Sequence, residues 1–279
     1  MKINWLAIAF FISFSSTYAQ QTTGPESGSL VVVGGALRDL TILERFIELA
    51  GGPNAPIVVV PTAGGSEEYD DSYYGMKKFQ DAGATNLTLL HTTNPEEADS
   101  PAFAASLEEA AGVWFGGGRQ WRLVDAYAGT RTEELFHAVL ARGGVVGGSS
   151  AGATILGSYL ARGDTKNNQI MMGDHEEGFG FIKNIAIDQH VLARNRQYDL
   201  FNILDERPEL LGIGIDENTA IVVQGNEFEV MGNSYVLIYD SGFWSREGSE
   251  LKTLPRPEKR FYLLRPGDKY NMKNREVVE

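Results

Sequence analysis

The chain encodes an α/β protein: a mostly parallel sheet with helices on both faces and an antiparallel C-terminal extension. Two patterns lead there. Up to residue 146, continuous β-branched runs alternate with helix-compatible segments. Runs that are apolar throughout, rather than at every second position, belong to strands buried on both faces, as in parallel sheets sandwiched by helices. After residue 209 the helical segments give way to short apolar runs joined by tight turns, the spacing of antiparallel neighbours.

The elements follow in order. Leu30-Val31-Val32-Val33 is the first strand, ended by Gly34-Gly35, and Leu40 to Ala50 has helical spacing closed by Gly51-Gly52-Pro53. Ile57 to Val60 is the second strand, Tyr69 to Ala82 a helix stopped by Gly83, and Asn86 to Leu90 the third strand. Ser100 can cap the next helix with Pro101 at its first position, where a missing N–H costs nothing. Gly112 to Phe115 is a fourth strand. Thr130 and Glu133 form a capping box for a helix reaching Ala141. Val145-Val146 is the fifth strand, and Thr154 to Ala161 is compatible with a helix after it. Leu210–Ile215, Ala220–Gln224, Glu227–Met231 and Tyr235–Ile238 read as an extension of the same sheet, with Phe261–Leu264 as an edge strand. No repeat or linker divides residues 29–279, which read as one domain.

Composition narrows the function. The formal charge is −13, from 37 acidic and 24 basic residues, so nucleic acid, which needs clustered cations, is not an expected partner. Cysteine is absent, excluding disulfides, thiolate metal sites, a cysteine nucleophile and a lipid-modified N-terminal cysteine. With no H-E-x-x-H and no paired histidines at helical spacing, neither a metal nor another cofactor is expected. Residues 1–19 have the layout of a secretory signal: Lys2, an apolar run from Trp5 to Phe14, then small residues up to Ala19. The run is too short for a spanning helix. A polar linker follows over 20–28, and the expected destination is the periplasm or the exterior, with no membrane association after cleavage.

The chemistry concentrates at Gly147-Gly148-Ser149-Ser150-Ala151-Gly152-Ala153. Gly148, Ser150 and Gly152 fit G-x-S-x-G, a sharp strand-to-helix turn that exposes a serine hydroxyl and needs small neighbours. A serine nucleophile requires a base, and the chain offers His91, His137, His175 and His190. His190, in Ile187-Asp188-Gln189-His190, is the first choice and His175, in a charged loop, the second. The orienting acid is Glu217, after an apolar strand, with Asp216 its immediate rival. The resulting order, Ser…His…acid, differs from that of α/β-hydrolases. The oxyanion donors would be the amide of Ala151 and that of Gly117 or Gly118 in Gly116-Gly117-Gly118-Arg119-Gln120. Arg194 and Arg196, just past the histidine, suit a carboxylate.

These segments together resemble the cyanophycinase family of serine peptidases, relatives of aspartyl dipeptidase with a fold like that of class I glutamine amidotransferases. The resemblance covers nearly all of the chain after the linker. It rests on Val31–Gly35, Arg45-Phe46, Ala50-Gly51-Gly52, Pro61-Thr62-Ala63, Phe115–Gln120, Gly148–Ala153, Asp188-Gln189-His190, Gly214-Ile215-Asp216-Glu217 and Leu264–Asp268. It implies Ser150 as nucleophile, His190 as base and Glu217 as acid, with Gln120, Asp188, Gln189, Arg194 and Arg196 lining the substrate pocket. It further implies hydrolysis of cyanophycin, a poly-aspartate bearing arginine on each side chain, to β-aspartyl-arginine dipeptides.

Two positions depart from the family pattern. Asp199 stands near where a third arginine is usual, and Arg119 stands where an acid commonly precedes the glutamine. Both bear on substrate preference, so an aspartyl dipeptidase-like hydrolase of short peptides is the alternative. A non-catalytic binding protein on the same scaffold is the alternative of another class, and a homodimer is compatible with either.

Overall fold

The structure, a computed structural model, describes residues 21–248 and 253–279; residues 1–19, read as a secretory signal, lie outside them. Its strands are β1 (Ser29–Val33), β2 (Ile57–Val60), β3 (Leu87–Leu89), β4 (Gly112–Phe115), β5 (Val145–Ser149), β6 (Gly157–Tyr159) and β7 (Ile182–Gln189). The chain continues through β8 (Leu211–Ile215), β9 (Thr219–Gln224), β10 (Glu227–Gly232), β11 (Val236–Tyr239), β12 (Tyr262–Leu264), β13 (Lys269–Asn271) and β14 (Glu276–Val278). The helices are α1 (Thr41–Leu49), α2 (Tyr74–Asp81), α3 (Pro95–Ala98), α4 (Pro101–Ala104), α5 (Trp121–Tyr127), α6 (Arg131–Ala141), α7 (Ala151–Thr154) and α8 (Phe201–Leu204). Among the described residues no helix is long and apolar enough to cross a membrane.

A nine-stranded sheet has the order β14-β13-β10-β9-β1-β5-β4-β2-β3. From β1 through β3 its pairs are parallel, and from β1 through β14 they are antiparallel. The parallel half and the antiparallel C-terminal extension are therefore as expected. The apolar runs explain themselves by side-chain alternation. Val31, Val33, Val59 and Trp114 face α1 and α2, where Phe46 and Phe79 meet Trp114 edge to face at centroid distances of 5.3 and 5.4 Å. Leu30, Val32, Val58 and Phe115 face the opposite side. Each such fully buried side chain contributes about 1.5–3 kcal/mol.

That opposite side holds a feature the sequence reading merged into the first sheet. Strands β12-β11-β8-β7-β6 form a second sheet, in which β7 and β8 are parallel. Ile185, Ile187, Ile213 and Ile215 of this sheet pack into the same core as Leu30 and Val32. The runs Leu210–Ile215 and Tyr235–Ile238 thus belong to the second sheet, whereas β9 and β10 extend the first. The segment expected to be helical from Thr154 to Ala161 is also corrected. The helix stops at Thr154, and Gly157 begins β6, which pairs with β7. Tertiary strand pairing overrides local helix propensity here.

Smaller expectations resolve locally. Ser100 caps α4 through Phe103 N–H, and Thr130 caps α6 through Glu133 N–H. The returning carboxylate of Glu133 accepts from Gly129 N–H rather than from the cap residue itself, because Thr130 N–H already donates to Tyr127 O. The helix read as Tyr69–Ala82 starts only at Tyr74, residues 70–73 being a turn capped by Asp70. Residues 21–28, read as a linker, are pinned to the second sheet. Thr23 bridges Lys183, and Thr22 Oγ1 donates to Asn184 O at 2.9 Å.

Candidate active site

Strand β5 delivers Ser150 at its carboxyl end, and the turn there is strained. Ser150 has φ +59° and ψ −112°, a conformation rare for a residue with a side chain and characteristic of a nucleophile elbow. Both flanking glycines are required by contact. A Cβ on Gly148 would lie 2.3 Å from Gly152 O, and one on Gly152 would lie 2.1 Å from Phe115 O. The Ser150 side chain consequently projects beyond the sheet, and its N–H donates back to Val33 O at 3.0 Å.

His190 follows β7 with φ +55°. Its Nδ1 is 2.7 Å from Glu217 Oε1 and its Nε2 is 2.9 Å from Ser150 Oγ. A carboxylate can only accept, so Nδ1 carries the proton and donates to Glu217, leaving Nε2 to accept from the serine hydroxyl. Burial holds the imidazole below its ordinary pKa; Glu217 pulls upward, and the charges of Arg194 and Arg196 push down. A neutral ring aimed at a hydroxyl can take up a proton as that hydroxyl attacks.

The rival groups do other things. His175 is held by Asp125 at 2.8 Å and Asp174 at 3.0 Å, one on each ring nitrogen. Asp216 accepts from the amides of Leu192 and Ala193 and from Ser234 Oγ, which fixes the loop after His190. His91 bonds Thr62 and Glu67, and His137 stacks on Phe181.

Three successive carbonyls at the end of β1 anchor the three segments. Val33 O accepts from Ser150 N–H, Gly34 O from His190 N–H at 2.8 Å, and Gly35 O from Asn218 N–H, beside Glu217, at 2.8 Å. The two glycines are there for space: a Cβ on Gly34 would sit 2.2 Å from Asp216 O.

The glycine-rich loop after β4 runs alongside. Gly117 lies beside Ser150, since a Cβ on it would be 3.5 Å from Ser150 Cβ. Gly118, with φ +145°, packs instead on the Ala63–Gly64 turn. Among the described residues neither amide donates to another group. The amide of Ala151 opens α7, where no preceding turn supplies an acceptor.

Of the five residues expected around the substrate, the two arginines act on the histidine through their charge. Arg194 is exposed, and Arg196 donates to Gln189 O at 3.2 Å and to Gln189 Oε1 at 3.3 Å. Gln120 is fully buried, its Nε2 donating to Ala161 O at 2.6 Å while its Oε1 has no partner. Asp188 is enclosed in an ion pair with a residue the sequence reading did not single out. Arg162, 1% exposed, grips it through Nε at 2.7 Å and Nη2 at 2.9 Å, and reaches Asp199 at 2.5 Å. Burial works against this guanidinium, but its two carboxylates outweigh burial and raise its pKa. The acid at position 199 therefore has an internal partner. Arg119, the other departure, donates to Asp164 O.

A cavity of about 470 Å³ opens beside Ser150 and His190. Its wall includes Gly116–Gly118, Trp114, Tyr73, Tyr74, Arg38 and Lys78, and none of the five expected substrate residues. Five separated stretches of the chain build it. The sequence signal was thin: adjacent tyrosines at a helix start and a basic residue after Gly34-Gly35.

A family model described as peptidase family S51 matches residues 30–231. A cyanophycinase of Geminocystis herdmanii is 31% identical over 263 residues, covering 90% of this chain and 96% of that protein. A cyanophycinase of Trichormus variabilis is 30% identical over 264 residues, covering 90% and 87% respectively. The crystal structure of a peptidase from an acI-B1 Actinobacterium superposes with a TM-score of 0.66 at 25% identity, covering 88% of this chain and 97% of that one. A putative peptidase E protein from Listeria monocytogenes shares the fold, with a TM-score of 0.52 at 18% identity over 74% of this chain and 99% of its own. The chain belongs to peptidase family S51 and is a serine peptidase.

Proposed function

We propose that this chain is a secreted or periplasmic exopeptidase that hydrolyses cyanophycin or a related aspartyl peptide through an acyl-enzyme. One observation carries the reading: a single buried imidazole spans Ser150 Oγ at 2.9 Å and Glu217 Oε1 at 2.7 Å. Ser150 Oγ attacks the scissile carbonyl while His190 Nε2 takes its proton. The oxyanion forms against the amides of Ala151 and Gly117, with Gly118 the further candidate. Collapse expels the amine, which receives the proton from His190. Water, activated by the same imidazole, then releases the acyl group. Glu217 holds the ring and stabilises the imidazolium. Arg194 and Arg196 offer guanidinium groups to substrate carboxylates near the histidine.

The substrate class comes from relatives named cyanophycinases that match along nearly their whole length. The test is incubation of the purified chain, without residues 1–19, with insoluble cyanophycin, and identification of soluble products by mass spectrometry. β-Aspartyl-arginine is expected. Release of nothing, or undiminished release by Ser150→Ala, overturns the reading. N-terminal sequencing of protein recovered from an expressing bacterium checks export, with a new N-terminus at Gln20 expected.

A further inference from the structure

Arg162 combines two unfavourable features. Its backbone is left-handed, with φ +61°, and its side chain is buried. A strained backbone and a charge taken out of water persist only where the surroundings fix both. Here they do. Four of the five guanidinium N–H groups have acceptors: Nε and Nη2 on the two oxygens of Asp188, Nη2 also on Asp199 Oδ2, and Nη1 on Asn168 O at 3.1 Å. One internal cation thus serves two acids, both on the segment that carries His190 and Arg196.

That segment has fastenings of its own. Asp216 takes the amides of Leu192 and Ala193, the Tyr239 hydroxyl donates to Gln197 O at 2.8 Å, and Arg196 N–H donates to Val191 O at 2.7 Å. What Arg162 alone supplies is a partner for the carboxylates. Arg196 stands within the field of the same acids. It is joined to Asp199 by a turn in which Asp199 N–H donates to Arg196 O at 2.9 Å. Burial lowers the pKa of Arg196, the charges of Arg162 and Arg194 add to that, and those of Asp188 and Asp199 oppose it. Yet among the described residues Arg196 pairs with no carboxylate, its guanidinium resting on Gln189 instead.

We infer that Arg162 is a positioning residue that keeps Arg196 available to substrate. By gripping Asp188 with a fork and engaging Asp199, it leaves the half-buried guanidinium of Arg196 without a competing internal carboxylate. Remove Arg162, and Asp199 has Arg196 as a cation three residues away along the same turn. In surroundings partly shielded from water such a pair would close and draw Arg196 off Gln189. The substrate half of the inference rests on the proposed role of Arg196; the partition of charge among the four side chains does not.

The test separates this role from a merely structural one. Arg162→Met combined with Asp188→Asn removes the buried pair without stranding a charge. Arg162→Gln with Asp188→Asn, whose amides can bond to each other, is run beside it. In each background and in the parent, a double-mutant cycle of Arg196→Gln and Asp199→Asn is measured by denaturant unfolding. The coupling is expected to be below about twofold in the unfolding constant for the parent and at least about fivefold once Arg162 is gone. Hydrolysis of a soluble trimer of β-aspartyl-arginine is read in parallel. Losing the Arg162–Asp188 pair should raise KM at least about fivefold with kcat within about threefold. Adding Asp199→Asn should return KM to within about twofold of the parent, whereas Asp199→Asn alone should leave it there. Coupling that does not rise, or a raised KM that Asp199→Asn fails to restore, overturns the inference; the second is how loss of simple support behaves. Coupling that rises while KM stays put keeps the charge partition and removes the proposed substrate role of Arg196. If the parent does not turn the trimer over, the coupling alone decides.

Discussion

Gly35 and His190 are in contact such that the glycine has room for nothing larger. A Cβ on Gly35 would lie 2.2 Å from His190 Cε1, and its φ of +114° disfavours any side chain. The ring that bridges serine and glutamate is thus seated directly on a bare backbone. Gly35→Ala should tilt the imidazole off its line to Ser150. Turnover should fall about 100-fold or more, the scale expected for a displacement near 1 Å at a reacting group. Steady-state kinetics should place the loss in kcat more than in KM, and a change confined to KM would contradict the argument.

Removing the ends of the bridge has graded consequences. Ser150→Ala should abolish acyl transfer, with a loss on the order of 10⁴-fold or greater. Glu217→Gln keeps the shape but lets the amide favour the wrong tautomer, at a cost of about 10⁴-fold. Circular dichroism should show both variants folded. Near-normal rates in Glu217→Gln would hand the orienting role to another group, although Asp216 is committed to Leu192, Ala193 and Ser234.

The rate should hold up in mildly acidic solution. Burial depresses the pKa of His190, with Arg194 and Arg196 adding to the effect and Glu217 opposing it. The active form is the neutral imidazole, so kcat/KM should be flat near neutrality and fall only as pH drops below the ordinary histidine value of about 6.5. Arg196→Gln removes a charge that disfavours protonation and should move this limb to higher pH. Residual activity in Glu217→Gln should show the limb at lower pH. A limb above that of free histidine in the parent protein would refute the assignment.

The Arg162–Asp188 pair should matter for stability far more than its surface counterparts. Both side chains are 1% exposed. Arg162→Met strands a buried carboxylate two residues before His190, and losing one partner of such a pair costs about 3–5 kcal/mol. Thermal unfolding should shift down by about 6–20 °C. Asp199→Asn should cost less than about 1 kcal/mol, because its side chain is 37% exposed and solvent screens it.

The three residues that meet at the candidate site were more legible in the sequence than the architecture around them. Ser150, His190 and Glu217 each lie one or two residues past the end of a strand, and strand ends announce themselves by apolar runs meeting glycine and polar residues. Local pattern cannot say which strand a run will join. Leu211–Ile215 and Val236–Tyr239 look like their neighbours in sequence, yet they pair with each other, and Leu211–Ile215 also with β7, in the second sheet. The same limit hid β6, whose residues are compatible with a helix until β7 is there to receive them. Arg162 escaped notice because its partners lie 26 and 37 residues away, and a solitary arginine in sequence looks like surface. The cavity wall combines residues from near 38, 73–79 and 114–118, a convergence that only topology creates.

The carbonyls of Val33, Gly34 and Gly35 bear on when the enzyme becomes dangerous to its host. Ser150 and His190 are 40 residues apart and His190 and Glu217 are 27 apart, yet each segment is tied to the same three-residue ledge near the amino end. Contacts of that sequence separation form late and slowly. A chain still emerging has the ledge but not yet all three reacting groups, and one clipped after Gly35 lacks the surface on which they line up. Hydrolytic power therefore appears in one cooperative step with the finished architecture, so latency during synthesis is a by-product of topology.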